Sequence, residues 1–216
     1  MARGDFYESA FGVAYSTYME RPWLSRPIGR LAWGGDSRRY YESMGAIAEV
    51  APEATIVDCP CGAGPAFRRL DRGRPGRYLA ADLSPSMLRR AGRRAAARGL
   101  ENVEVVRADA TAIPLPPGSA GLFLSYWGLH CFDDPAAALA EAARVLAPGG
   151  RLVGSCFVRG GGGLRQRLLL RPHSSDFGPI GTEAEVRGWL AGAGFELGDA
   201  ERSGPMFFFD ARLAAA

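Results

Sequence analysis

Short apolar strands alternate with helices from Thr55 onward, and this alternation restricts the possible folds more than any other feature of the sequence. Strands separated by a helix run parallel, because the helix returns the chain to the edge where the previous strand began. The last two strands are separated only by a turn and are therefore expected to be antiparallel. The predicted strands are 55–58, 77–82, 103–106, 121–126, 151–157, 195–200 and 206–212. The pattern predicts an α/β fold: a doubly wound, seven-stranded, mostly parallel sheet with an antiparallel C-terminal strand.

Capping residues mark where the longer helices begin and end. Ser84 is expected to cap one helix, and Thr182 and Glu185 have the spacing of a capping box at the start of another. A third helix carries Leu146 on its apolar stripe and is expected to stop at Pro148-Gly149-Gly150. The expected helices are 65–70, 84–99, 134–147 and 182–194.

The first fifty residues differ from the rest, since they are rich in aromatic side chains and interrupted by proline and glycine. They predict short helices and turns, with one better helix over residues 37–50. An aromatic segment needs an apolar surface to cover. We therefore predict a helical lid over residues 1–50, with Tyr15 or Tyr18 near the site, followed by a domain over residues 51–216.

Composition excludes several classes of protein. Hydrophobic residues make up 47% and charged residues 23%, so the chain has enough apolar surface for a core and is not expected to be disordered. All 26 basic residues are arginine, and the net charge is only +3, which argues against a nucleic-acid partner. The densest basic run, 89–98, has helical spacing and is interpreted as a solvated face.

The sequence also predicts no membrane partner and no metal. No run of about 18 apolar residues occurs, and the first residues lack the pattern of a signal peptide. The four cysteines, at positions 59, 61, 131 and 156, lack the spacing of zinc ligands. Reduced thiols in a cytoplasmic protein are the simplest interpretation.

Three acidic residues follow three successive strands. Asp58 ends the first strand and leads into the glycine turn 59–64, where the backbone can approach a ligand closely. Asp82 ends the second strand, 18 residues after Gly64, which is the spacing of a ribose-binding carboxylate. Asp109 follows the third strand and is a candidate acceptor for an adenine amino group. Each acid alone is better explained as a turn or cap residue, but the combination predicts a nucleoside-containing ligand.

This constellation resembles the class I S-adenosylmethionine-dependent methyltransferases over roughly residues 50–157. The resemblance rests on Asp58-Cys59-Pro60-Cys61-Gly62-Ala63-Gly64, Ala81-Asp82-Leu83-Ser84-Pro85-Ser86-Met87-Leu88, Asp109-Ala110, Leu129-His130-Cys131-Phe132-Asp133-Asp134-Pro135 and Arg144-Val145-Leu146-Ala147-Pro148-Gly149-Gly150. Together these segments are most similar to the small-molecule branch typical of ubiquinone and menaquinone biosynthesis.

The resemblance implies methyl transfer from S-adenosylmethionine to a small, hydrophobic or aromatic acceptor, with S-adenosylhomocysteine as the product. The oligomeric state is left open between a monomer and a homodimer. The implied cofactor-binding residues are Asp58, Pro60, Cys61, Gly62, Gly64, Asp82, Leu83, Met87, Asp109, Ala110, Ser125, Tyr126, Trp127, Tyr15 and Tyr18.

Two positions depart from the family pattern. Pro60 replaces the usual first glycine and removes a backbone N–H. Trp127 replaces a small or amide residue after the fourth strand. Its ring either narrows the mouth of the site and stacks on a flat substrate, or packs at the rim on the N-terminal helices.

His130 is the candidate general base, because it follows the fourth strand on the expected acceptor side. A packing role for this histidine stays open. A nicotinamide-dependent reductase is less consistent with the sequence, since Phe67 stands where its fingerprint requires a third glycine. Two further alternatives are a methyltransferase acting on RNA or protein, and a protein that binds the cofactor without catalysis.

Overall fold

The computed structural model describes residues 21–160 and 180–215, which form an α/β domain with a central sheet. The helices are α1 (Pro22–Ile28), α2 (Arg38–Ser43), α3 (Ala46–Glu49), α4 (Pro85–Arg98), α5 (Pro135–Val145) and α6 (Glu183–Gly192). A π-helical turn spans Gly29–Trp33, and 3₁₀ turns span Pro65–Arg69 and Leu129–Cys131. The strands are β1 (Thr55–Asp58), β2 (Tyr78–Asp82), β3 (Val103–Arg107), β4 (Ala120–Tyr126), β5 (Leu146–Phe157), β6 (Phe195–Ser203) and β7 (Met206–Leu213).

The strands of the described residues form one seven-stranded sheet in the order β3-β2-β1-β4-β5-β7-β6. Strands β1 to β5 run parallel to one another, whereas β7 lies between β5 and β6 and is antiparallel to both. The predicted fold class is therefore confirmed. The order reverses at β1 and β4, so the carboxyl ends of these two strands border the crevice where such sheets bind ligands.

Helices cover both faces of the sheet. Leu139 of α5 and Leu190 of α6 are buried in one apolar layer, together with Val57 of β1. Met44 and Ile47 lie in the other apolar layer, together with Ile56 of β1 and the buried side of α4. Residues 40–47 thus form part of the core of the domain.

The predicted lid is only partly within the described residues. Residues 1–20, which include Tyr15 and Tyr18, lie outside them, as does the segment 161–179 that precedes α6. The closure of residues 1–50 over a ligand therefore stays a prediction.

Several predicted boundaries are confirmed by the cap geometry. The Ser84 hydroxyl accepts a hydrogen bond from the Met87 amide at the start of α4, and Gly99 ends this helix in the left-handed conformation. The capping box of Thr182 and Glu185 is complete at the start of α6.

Two predicted helices differ from the observed ones, one by being split and one by ending earlier. The helix over 37–50 is split into α2 and α3 around Gly45, where the backbone angles stay helical but the amide hydrogen bonds reach only three residues back. The helix that begins after Asp134 ends at Val145, because Leu146 has extended backbone angles and pairs with Ala120 of β4. The Pro148-Gly149-Gly150 stop therefore lies inside β5, and Pro148 disfavours a helical conformation at the residue before it.

The N-terminal helices are attached to the strands β5, β6 and β7. The Asp36 amide donates a hydrogen bond to the Ser203 hydroxyl at 2.8 Å, and Gly35 lies so close to Met206 that a side chain would not fit. Arg151 of β5 lies between two carboxylates, at 2.6 Å from Glu49 and 2.5 Å from Asp210. Among the helices of the described ranges, none is both long and apolar enough to cross a membrane.

Candidate functional site

The Asp82 carboxylate joins the carboxyl ends of β1 and β2. Its Oδ2 accepts a hydrogen bond from the Gly62 amide at 2.9 Å, and its Oδ1 accepts one from the Ser84 amide at 2.8 Å. The Cys61 amide donates to the Ala81 carbonyl at 2.8 Å, so the glycine turn lies directly beside the end of β2. Burial raises the pKa of Asp82, and hydrogen bonds from the Ser84, Gly62 and Leu83 amides counteract this shift. The carboxylate is thus held in a fixed orientation at the edge of the sheet.

The two glycines of the turn have different surroundings. Both have a positive φ, 52° for Gly62 and 74° for Gly64. A Cβ on Gly62 would meet no atom within 4 Å, whereas a Cβ on Gly64 would overlap the ring of Phe67. Gly64 therefore seats the turn on the apolar layer below, and Gly62 leaves its outer side open for close approach of a ligand.

Asp58 is buried at the end of β1 and is bonded to the neighbouring strand. Its Oδ2 accepts a hydrogen bond from the Tyr78 hydroxyl at 2.8 Å. Burial raises the pKa of Asp58 to about 7, the Tyr78 hydrogen bond lowers it, and the charge of Asp82 raises it further. No local pattern in the sequence predicts this role for Tyr78. The parallel register pairs Asp58 with Ala80, two residues after Tyr78, which places Tyr78 on the same face of the sheet as Asp58.

The three acids predicted from the sequence all act on the Cys59 thiol. Burial raises the pKa of this thiol, and the charges of Asp82, Asp58 and Asp109 raise it further. The Asp109 carboxylate is exposed and accepts hydrogen bonds from the Thr111 amide at 2.9 Å and the Thr111 hydroxyl at 2.7 Å. Its own turn therefore already uses one of its oxygens.

The other candidate residues near β2 and β3 differ in exposure. Leu83 is 56% exposed, although it directly follows the buried Asp82. Met87 and Ala110 are buried. Leu83 thus offers an apolar surface to a ligand beside the Asp82 carboxylate.

The loops that follow β1 and β4 touch each other. Gly128 has no space for a side chain, because the Pro60 ring and the Ser125 hydroxyl adjoin it. The Tyr126 hydroxyl accepts a hydrogen bond from Ser43 of α2 at 3.2 Å and lies in the apolar layer. The structure thus brings Pro60, Ser125 and the 127–128 turn together, while the side chain of Tyr126 faces the N-terminal helices.

His130 lies in the 3₁₀ turn after β4 and is only 3% exposed. Its Nδ1 accepts a hydrogen bond from the Phe157 amide at 3.1 Å, which leaves Nε2 to carry the proton of the neutral ring. Burial lowers the pKa of His130 to about 3. This environment makes the imidazole a weaker base than the sequence argument expected.

Metal ligands are not grouped in the part of the chain that the structure describes. No set of three or more His, Cys, Asp or Glu side chains there is placed to hold a metal ion. All four cysteines are free thiols.

Known proteins are similar to this chain in sequence. Residues 57–154, which run from β1 into β5, match the family described as a methyltransferase domain. Over this stretch the chain is similar to methyltransferase domains. It is 41% identical over 124 residues to the demethylmenaquinone methyltransferase of Thermus thermophilus. This match covers 57% of the chain and 56% of the relative, so the chain spans only about half the length of that protein.

Solved structures show the same fold. A SAM dependent methyltransferase from Aquifex aeolicus aligns with a TM-score of 0.65 and 22% identity, covering 93% of this chain and 98% of the other. The [4+2]-cyclase SpnF aligns with a TM-score of 0.74 and 18% identity, covering 100% of this chain and 98% of the other. The methyltransferase-like fold therefore extends beyond the matched domain but does not by itself specify methyl transfer.

We predict that Gly64→Ala destabilises the protein more than Gly118→Ala does. Both glycines have a positive φ, 74° and 66°, so alanine costs about 1–2 kcal/mol at either position. Only Gly64 faces a ring, and overlap with Phe67 should add about 1–3 kcal/mol. Urea unfolding of the two variants and the parent measures the difference. Equal losses would show that Phe67 moves aside freely.

We predict that Asp58→Asn makes thermal stability less dependent on pH. The pKa of Asp58 is raised from 3.8 to about 7 in the folded protein, so folding favours the protonated carboxyl. The resulting stability is complete below pH 4 and is lost as the pH rises through 7. Asparagine does not titrate and still accepts the Tyr78 hydrogen bond. Its Tm advantage over the parent should therefore grow between pH 5 and pH 8, whereas an exposed control, Asp71→Asn, should show no such growth. A constant difference would contradict the buried-carboxylate interpretation.

Proposed function

We propose that this protein transfers a methyl group from S-adenosylmethionine to a small acceptor molecule. The observation that carries the proposal is the Asp82 carboxylate, held by two amides beside the open side of Gly62. A carboxylate accepts hydrogen bonds from the paired hydroxyls of a ribose, and an open glycine admits a ligand against the backbone. The residues at this edge of the sheet thus fit the cofactor of the family.

The candidate residues divide among the parts of the cofactor. We assign the ribose to Asp82 and the methionyl end to Asp58 and the turn from Pro60 to Gly64. Leu83 offers an exposed apolar surface for the adenine ring, and the Asp109-Ala110 pair lies at the end of the next strand. Met87 supports this region from the first turn of α4.

The chemistry of such a site requires little from the protein beyond placement. When bound, S-adenosylmethionine supplies a methyl group already activated by a positively charged sulfur. The chain must hold the acceptor in line with that group and exclude water. The buried rings of Tyr40 and Phe157 pack against Trp127, whose half-buried ring offers an apolar surface for this purpose. This surface favours a hydrophobic or aromatic acceptor, as does the name of the Thermus thermophilus relative.

Two alternatives give different experimental results. Methylation of RNA or protein would give transfer of label to macromolecules rather than to small compounds. A protein that binds the cofactor without catalysis would bind S-adenosylhomocysteine and transfer no methyl group. We further propose a cytoplasmic location, which the four free thiols favour.

We expect Asp82→Ala to weaken S-adenosylhomocysteine binding by about tenfold or more, because two charge-assisted hydrogen bonds to the ribose are lost. Isothermal titration calorimetry measures the affinity. The matched control is Asp71→Ala, which removes an exposed carboxylate from a turn and should leave binding unchanged. Since Asp82 also holds two amides, thermal unfolding of the variant must show that it is folded. A folded variant with parental affinity would overturn the assignment.

His130→Gln tests whether the histidine acts as a base. If it does, kcat for an acceptor that must lose a proton should fall by about 10²–10³-fold. With a pKa near 3, the imidazole stays neutral between pH 5 and 9, so its own titration should produce no inflection in the pH profile of kcat in that range. A variant with near-normal kcat would assign His130 to holding the Phe157 amide, and the acceptor would then arrive already deprotonated.

A further inference from the structure

Trp127 has an unusual backbone conformation at the carboxyl end of β4. Its φ is 58°, and among the described residues it is the only one other than glycine with a positive φ. A bulky side chain in this region is strained, because its Cβ approaches the backbone. The Trp127 amide donates a hydrogen bond to the Ser155 carbonyl at 2.8 Å, which holds the strained residue against β5. Strain of this kind persists where the surrounding structure imposes it, often at ligand sites.

The indole N–H of Trp127 is buried and has no hydrogen-bond partner. The hydroxyl of Ser125, two residues earlier, is also buried without a partner. Only two other buried side-chain N or O atoms in the described ranges share this property, and both belong to arginines that have further nitrogens. Buried polar groups are almost always paired, so two unpaired groups two residues apart in the chain indicate a place built to receive a polar atom.

Aromatic rings surround the indole. Its ring centroid lies 5.1 Å from Phe157, 5.8 Å from Tyr40 and 6.3 Å from His130. The next residue, Gly128, adjoins Pro60 of the glycine turn, so this cluster borders the proposed cofactor site. The Trp127 side chain itself is half-buried, and one part of it remains accessible. The side chains around the indole are flat rings, and its N–H has no hydrogen-bond acceptor among them.

We propose that Trp127 determines acceptor specificity, by donating its indole N–H to an oxygen of a flat, largely apolar acceptor whose plane lies against the ring. This inference rests on the proposed function and names its substrate class: ring compounds that carry a carbonyl or phenolic oxygen. The indole is a donor only, so its partner must offer a lone pair. A protonated amine has none and does not satisfy this donor. The neutral N–H also needs no full negative charge on the ligand.

The test compares two probes of the same two-ring outline, coumarin, which has a ring carbonyl, and naphthalene, which has no oxygen. Calorimetry in the presence of S-adenosylhomocysteine measures both affinities for the parent, for Trp127→Phe and for a control, Trp189→Phe. Phenylalanine keeps an aromatic surface and the same backbone strain but lacks the N–H. Trp189 lies in α6, in the apolar layer on the other face of the sheet.

Trp127→Phe should weaken coumarin binding by about fivefold, the worth of one neutral hydrogen bond, and leave naphthalene binding unchanged. Trp189→Phe should change neither. An unchanged preference for coumarin in Trp127→Phe, or a parent protein that does not bind coumarin, overturns the inference. Binding of S-adenosylhomocysteine to the parent is measured first. Its absence would instead count against the proposed function, which keeps the two failures distinguishable.

Discussion

The hydrogen bonds from the Gly62 and Ser84 amides to Asp82 connect three elements that the sheet alone leaves independent. They tie the turn after β1 to the end of β2 and to the cap of α4. Both donors are backbone groups, so the arrangement does not depend on a second side chain. Without this carboxylate, the hydrogen bond from Cys61 to Ala81 would still hold the turn beside β2, but the Gly62 and Ser84 amides would lose their shared acceptor.

A second constraint lies one layer deeper. Phe67 occupies the space below Gly64, its ring meets that of Tyr78 edge to face at 5.4 Å, and the Tyr78 hydroxyl bonds to Asp58. The glycine turn, the apolar layer below it and the buried Asp58 are therefore packed together through Phe67 and Tyr78. The cost is a carboxyl group that folding prefers to keep protonated up to about pH 7. A positively charged ligand beside Asp58 would favour its ionised form and so relieve this cost.

The sequence predicted the order of the elements well, because the spacing of apolar residues, the capping residues and the turn residues are all local properties. The helix over 37–50 was wrong in its continuity, since hydrogen bonds that reach only three residues back interrupt it around Gly45. Leu146 was assigned to a helix because its apolar side chain suits either structure. The Tyr78–Asp58 hydrogen bond depends on the register between two strands, which no local pattern encodes. The burial of His130 depends likewise on Phe157, 27 residues away in the chain. The backbone strain at Trp127 left no signal, because tryptophan is among the residues least expected there.

The attachment of Gly35 and Asp36 to β6 and β7 has a consequence for how the chain is made. Residues 35–49 leave the ribosome long before Ser203 and Met206 exist, yet these are among the groups they contact. During synthesis, Arg151 appears before Asp210 and can pair only with Glu49. The apolar side chains of α2 and α3 therefore lack their full surroundings until β6 and β7 have been synthesised. The growing chain depends until then on remaining unaggregated.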